Sequence, residues 1–157
     1  MKTITIIAAY NALTGSKLTK MGGEGKIKVV KIIKAMKPVA TEYEDSRKDA
    51  LERLKPEGFD KMAEKAQQWQ KEGEDTTLTA TERAEINQFF AGYQAEVDKC
   101  LKEEVEKEHE LEFKKLTGEE FTSLCDGNDW TAGQMLELMD IISEQEKRAY
   151  TLDDVRP

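Results

Sequence analysis

Glu106-x-x-His109 is the most chemically suggestive spacing in the chain, since a carboxylate and an imidazole three residues apart can share one helix face and ligate a metal. A di-iron centre in a helical bundle needs a second such pair and carboxylates from two further helices. His109 is the only histidine of the 157 residues, so the second pair does not exist. The same count removes histidine-built zinc sites and Ser-His-Asp triads. Glu103, Glu104, Glu106, Glu108, Glu110 and Glu112 therefore read as a solvated acidic ridge.

Two other patterns imitate ligand loops. Met21-Gly22-Gly23-Glu24-Gly25-Lys26-Ile27 has the glycines of a phosphate loop. That motif needs a glycine where Lys20 stands and a serine or threonine where Ile27 stands, and neither is present. The segment reads as a flexible hinge. Asp126-Gly127-Asn128-Asp129, with Glu137 at position twelve, resembles the opening of a calcium loop. Its sixth position, which must be glycine for the turn, is Thr131. Capping of the next helix explains Thr131 better. No catalytic residue, cofactor site or metal set is expected, and the chain reads as a non-enzyme.

The remaining chemistry is electrostatic. Residues 1–37 hold eight lysines against one acid, Glu24, a local charge of +7, and the other 120 residues sum to −15, giving the net −8. Lys26, Lys28, Lys31, Lys34 and Lys37 project onto one side of a helix, and Val29, Ile32, Ile33 and Met36 project onto the other. Neither aromatics nor arginines accompany these lysines. The plainest reading of this side is a solvated face; as a binding surface, Lys17–Lys37 favours an acidic protein over nucleic acid, whose contact stays possible. The acidic remainder offers a different prospect, imitation of a phosphate backbone in the basic cleft of a nucleic-acid-binding protein. Ten residues are the candidates for partner binding: Lys26, Lys28, Lys31 and Lys34; Phe59, Met62 and Trp69; and Glu103, Glu106 and Glu110.

Several elements must position these groups. Apolar residues make up 38% of the chain and charged residues 36%, with a mean hydropathy of −0.69. No run approaches the roughly 20 apolar residues of a bilayer-spanning helix. Thr5 and Asn11 interrupt the apolar stretch Ile4–Leu13, and no small-x-small cleavage site follows, so secretion is not expected. Cys100 and Cys125 read as buried, reduced thiols of a cytoplasmic protein.

Lys2–Ile6 alternates in period two and predicts a short strand, which His109–Lys114 could pair as a second. Val29, Ile33, Met36, Ala40, Tyr43, Arg47, Ala50 and Leu54 form a heptad-like seam along a helix from about Lys26. Pro38 should kink or divide that helix. Phe59, Met62, Ala66 and Trp69 share the face of a shorter helix. Thr79 and Glu82 have capping-box spacing before a second long helix with Ile86, Phe90, Tyr93 and Val97 on its seam. Thr117/Glu120 and Thr131/Gln134 predict two more helices, at about 118–125 and 132–147, the last turning Met135, Leu138, Met139 and Ile142 inward. The expected architecture is mainly α: a long antiparallel helix pair burying most of the core, shorter packing helices and a minor two-stranded β element. Residues 1–150 would be a single helical domain and residues 151–157 a C-terminal tail.

The order of elements resembles that of a group of short phage and prophage proteins to which no activity is assigned. The likeness lies in the opening turn Asn11-Ala12-Leu13-Thr14, the lysine-rich helix Lys26–Lys37 running into the acidic stretch Glu42–Leu54, the helix from Leu78-Thr79 through Glu108, and the closing part Leu111–Ile142. It spans roughly residues 3–142, and Pro38 and the segment from Trp69 to Thr77 depart from it. The resemblance implies a phage-type accessory protein in the host cytoplasm or the virion, acting by protein–protein binding, with virion assembly as its setting. It supplies no site residues. The alternatives are an acidic, DNA-mimic-like inhibitor of a host defence factor, and nucleic-acid contact through the basic segment.

Overall fold

A computed structural model describes residues 1–144. The expected tail at 151–157, and the part of the last expected helix beyond residue 144, lie outside these residues. Among the described residues six α-helices follow one another: α1 Thr3–Thr14, α2 Gly23–Arg53, α3 Phe59–Glu72, α4 Ala80–Glu106, α5 Gly118–Asp126 and α6 Ala132–Ile142. A 3-10 turn, Gly73–Asp75, links α3 to α4. The chain divides into two compact units. One comprises Met1, Thr3–Ala40 and the chain from His109 onward; the other comprises Lys2 and Thr41–Glu108.

The mainly helical class is as expected, but the two-stranded element is not present. Lys2–Ile6 lies almost wholly in α1. Its buried residues Thr3, Ile6, Ala9 and Leu13 recur every three or four positions, the period of a helix. Five residues were too short a window to separate this from alternation. His109–Lys114 is irregular, with Leu111 and Phe113 laid against the larger core while Glu110, Glu112 and Lys114 face water. Alternation there records one dry side without a ladder of strand hydrogen bonds. Only isolated bridges occur among the described residues, Lys2 with Glu108 and Leu116 with Ser143.

The first unit condenses around α2. Val29, Ile32, Met36 and Val39 recur at three- and four-residue intervals and meet Ile6, Ala9 and Leu13 of α1, Phe121 and Leu124 of α5, and Leu138 and Ile142 of α6. Burying each large side chain of this set contributes about 1.5–3 kcal/mol, which is what orders three short helices on one long one. The buried seam of α2 begins before the expected start at Lys26, because the helix takes in Gly23 and Gly25. Pro38 neither divides it nor ends it. The proline and Lys34, whose carbonyl it leaves without an amide, both lie on the exposed side, where the carbonyl is open to solvent.

The second unit has a smaller cluster. Ala50 of α2 packs with Val97 and Leu101 of α4, surrounded by Tyr43, Leu51, Leu54 and Tyr93. Both long helices thus share a core, yet α4 contributes nothing to the larger cluster. Gly58, with φ of 79°, makes the turn that ends the α2 segment and admits α3. Phe59 then meets Phe90 and Tyr93 edge to face, at centroid distances of 5.9 and 5.6 Å.

The capping signals place the starts of α5 and α6 where expected, but α6 ends at Ile142, with Ser143 extended, and does not run on toward the expected 147. Thr117 with Glu120, and Thr131 with Gln134, each form the complete reciprocal box. At α4 only half of it forms: Thr79 Oγ1 accepts from the Glu82 amide, and the Glu82 carboxylate accepts from the same hydroxyl. Leu116 closes the first unit through its backbone, donating to the Ile142 carbonyl and accepting from the Glu144 amide, both at 2.7 Å. On α6, Leu138 and Ile142 are buried, but Met139 is 41% exposed and not the core residue expected.

The apparent calcium loop is a clasp. Asn128 Oδ1 accepts from the Lys17 amide at 2.7 Å, and its Nδ2 donates to the carbonyls of Lys17 and Leu124 at 2.9 and 2.8 Å. A β-carbon on Gly127 would stand 3.0 Å from the Lys17 carbonyl, so glycine permits the approach. Both donor and acceptor halves of the amide are used, and aspartate has only acceptors. Asn128→Asp should destabilise the protein by about 1–3 kcal/mol by aiming a carboxylate oxygen at two carbonyls. Urea unfolding at neutral pH measures this, and a shift no larger than that of an exposed control, Asp129→Asn, would refute the clasp.

Candidate interaction surfaces

The lysine-rich stretch of α2 divides into two kinds of lysine. Lys28 projects about 100° from Val29 and so sits at the edge of the buried stripe. Its ammonium donates to Glu120 Oε1 at 2.6 Å, and both side chains are less than one-fifth exposed. Glu120 Oε1 also accepts from the Thr117 amide, so one carboxylate starts α5 and ties it to α2. Gly25 makes room for this: a β-carbon there would meet Met21 Cε at 2.9 Å and Glu120 Oε2 at 3.2 Å. Where a hinge was expected, Gly25 is a close contact in the first turn of α2, while a β-carbon on Gly22 or Gly23 would meet nothing within 4 Å.

Lys26, Lys31, Lys34 and Lys37 point outward. Among them are two large aliphatic side chains, Ile27 at 55% and Val30 at 52% exposure. At 100° per residue both lie within about 40° of Lys34, in the middle of the lysine face. The sequence shows these two residues plainly, but attention to the buried seam passes over them.

The other expected contacts are distributed differently. Phe59, Met62 and Trp69 are half-buried, and Phe59 spends its ring on Phe90 and Tyr93, with Lys55 Nζ 4.7 Å from its centroid. Beside them Leu51, Phe59, Phe90 and Tyr93 line a concavity of about 550 Å3. The Tyr93 hydroxyl donates to the Leu51 carbonyl, satisfying one of the last carbonyls of α2.

Glu103 and Glu110 are exposed, the first in the second unit and the second in the first unit. Glu106 is also exposed, but its carboxylate accepts from Lys2 Nζ at 2.6 Å. His109 Nε2 and Thr3 Oγ1 share a hydrogen bond of 2.7 Å, which anchors the ring to the start of α1. No three His, Cys, Asp or Glu side chains among the described residues converge to hold a metal ion. Cys125 is half-buried, and burial, followed by the nearby Asp126, pushes its thiol up. Cys100, expected inside, is exposed and accepts from Arg53 Nη2 at 2.9 Å.

No family model, curated protein or solved structure matches this chain.

A third surface belongs to the first unit. Ile4, Ala8 and Ala12 of α1 face Ile141 of α6 across a groove of about 490 Å3, with Ala9 and Leu138 beneath and the exposed Glu137 and Asp140 along it. Alanines on α1 keep it open, since they carry no atom beyond the β-carbon. Among helices of the described residues, none is long and apolar enough to cross a membrane.

The Lys28–Glu120 pair makes stability depend on pH. The hydrogen bond from Lys28, and after it the Thr117 amide, hold the Glu120 carboxyl below its usual range, and the Glu120 carboxylate raises Lys28. A depressed carboxyl stabilises the fold above its unfolded pKa and loses that contribution as pH falls through the folded value. Raised Lys28 stabilises below its unfolded pKa and loses this as pH climbs through the folded one. Glu120→Gln should therefore lower the denaturant midpoint at pH 7, with the gap to wild type closing below about pH 4.3. Equal midpoints at pH 7 would sink this account. Glu72 and Glu106, also held low, by Gln68 and by Lys2 respectively, leave a residual acid dependence in the variant.

Proposed function

We propose that this is a non-enzymatic, phage-type accessory protein that acts by binding other proteins, with virion assembly as its setting. The reading takes α2 and α4 as a lengthwise antiparallel pair and the outward face of the first half of α2 as the binding surface. The single observation that supports it best is the exposure of Ile27 and Val30 inside a ring of lysines. Each leaves apolar surface in water that a partner would remove at roughly 25 cal/mol per Å2. The flanking ammonium groups steer and orient an acidic partner more than they add affinity.

The same pair of residues weighs against nucleic acid as the partner. A phosphate grip draws its free energy from counterion release and gains nothing from an isoleucine and a valine at its centre. Base stacking or edge readout would call for aromatics or arginine, and this face has neither. The acidic-mimic reading draws on Glu103, Glu106 and Glu110, and Glu106 is engaged by Lys2.

A photoreactive amino acid at position 30 discriminates among these readings. In producing cells, irradiation should yield a discrete protein adduct, while the same group at the exposed Lys48 of the second unit should give none. Adducts to nucleic acid at position 30, or no adduct at all, would overturn the proposal.

A further inference from the structure

Two surfaces of the first unit are complementary in polarity and charge. The groove between α1 and α6 is aliphatic along its length, through Ile4, Ala8 and Ile141, and acidic along one side, through Glu137 and Asp140. Ile4 is 54% exposed at its mouth, so the groove is unfilled apolar surface and not a packed seam. A segment that fits it must be aliphatic in the centre and cationic at the edges. The outward face of α2 has that composition: Ile27 and Val30 lie side by side at three-residue spacing, flanked by Lys31 and Lys34.

The two surfaces cannot meet within one molecule. Opposite the outward face, α2 presents Val29, Ile32 and Met36 to the same core that receives α1 and α6. Ile27 and Val30 therefore point away from the helices that border the groove. We infer that the α2 face of one molecule docks in the α1–α6 groove of a second copy of this chain. The partner is chosen by charge complementarity: a molecule of net charge −8 brings its locally cationic helix to the acidic rim of its neighbour. This inference rests on the reading of the α2 face as a protein-binding surface.

The contact is head to tail, because the surface that enters differs from the surface that receives. A pair formed this way leaves one face and one groove unused, so the assembly grows into a ring or an open chain and does not stop at a symmetric dimer. That property separates it from ordinary dimerisation.

Light scattering behind size exclusion tests it with three purified proteins. Wild type should grow in mass with concentration, and added salt should reduce the association. Ile27→Asp with Val30→Asp removes the entering face, and Ala8→Arg with Glu137→Lys blocks the groove. All four positions are exposed, so thermal unfolding should change little. Should the second variant misfold, Glu137→Lys with Asp140→Lys alters the rim alone. Each variant by itself should be monomeric. Mixed one to one they should form a complex that ends at two molecules, because only one intact face and one intact groove remain.

Monomeric wild type at concentrations up to about 1 mM overturns the inference, as does assembly that survives either variant. A mixture that stays monomeric does so too. If the wild type is monomeric and the probe at position 30 still captures a protein, self-docking fails while the protein-binding reading stands. If neither association nor an adduct is found, both fail.

Discussion

The buried stripe of α2 is the constraint on which the rest of the structure depends. Val29, Ile32, Met36 and Val39 give the first unit a continuous apolar strip, and α1, α5 and α6 each bring two or three buried residues to it. None of those three helices exceeds 12 residues. Helices of that length are marginal in water on their own, so their order comes from packing on α2 and from their caps. The same helix then continues past Ala40 and supplies Ala50 to a separate cluster with Val97 and Leu101. Pro38 is tolerated just before this change because it sits on the wet side.

How much of this the sequence reveals depends on the physical signal. The seam from Val29 to Leu54 is legible because eight positions at three- and four-residue spacing have no other simple explanation. Residues along it are buried or half-buried throughout. The starts of α5 and α6 are legible because a capping box is chemistry fixed by adjacent residues. Alternation at Lys2–Ile6 and His109–Lys114 misleads, since five or six residues satisfy period two whenever one side is dry. Nothing local distinguishes a strand from an irregular segment pressed against a core; the difference is whether a neighbour supplies hydrogen bonds.

Long-range polar contacts are the least legible part. Asn128 bonds the backbone 111 positions away, and Lys28 pairs with Glu120 92 positions away. Both residues belong to patterns with a more familiar explanation, a calcium loop and a lysine-rich face. Gly25 is a third case, where a glycine suggests flexibility and serves close approach instead. Each of these local motifs is a tertiary contact, and the partner residue is what defines it.

The charge asymmetry between the first 37 residues and the rest gains a physical meaning from that distinction. Internal neutralisation of the basic helix would require its lysines to sit beside acids, and Lys28 does so with Glu120. Its angular position at the border of the apolar stripe makes that pairing available. Lys26, Lys31, Lys34 and Lys37 lie too far round the helix to reach the interior, and the two side chains they surround are aliphatic. Polar residues at positions 27 and 30 would leave the buried seam of α2 unchanged, so the fold itself does not require Ile27 and Val30. On the proposed reading the segment combines two tasks on one helix: a lysine that fixes α5 against α2, and an outward group whose composition suits another acidic, apolar surface.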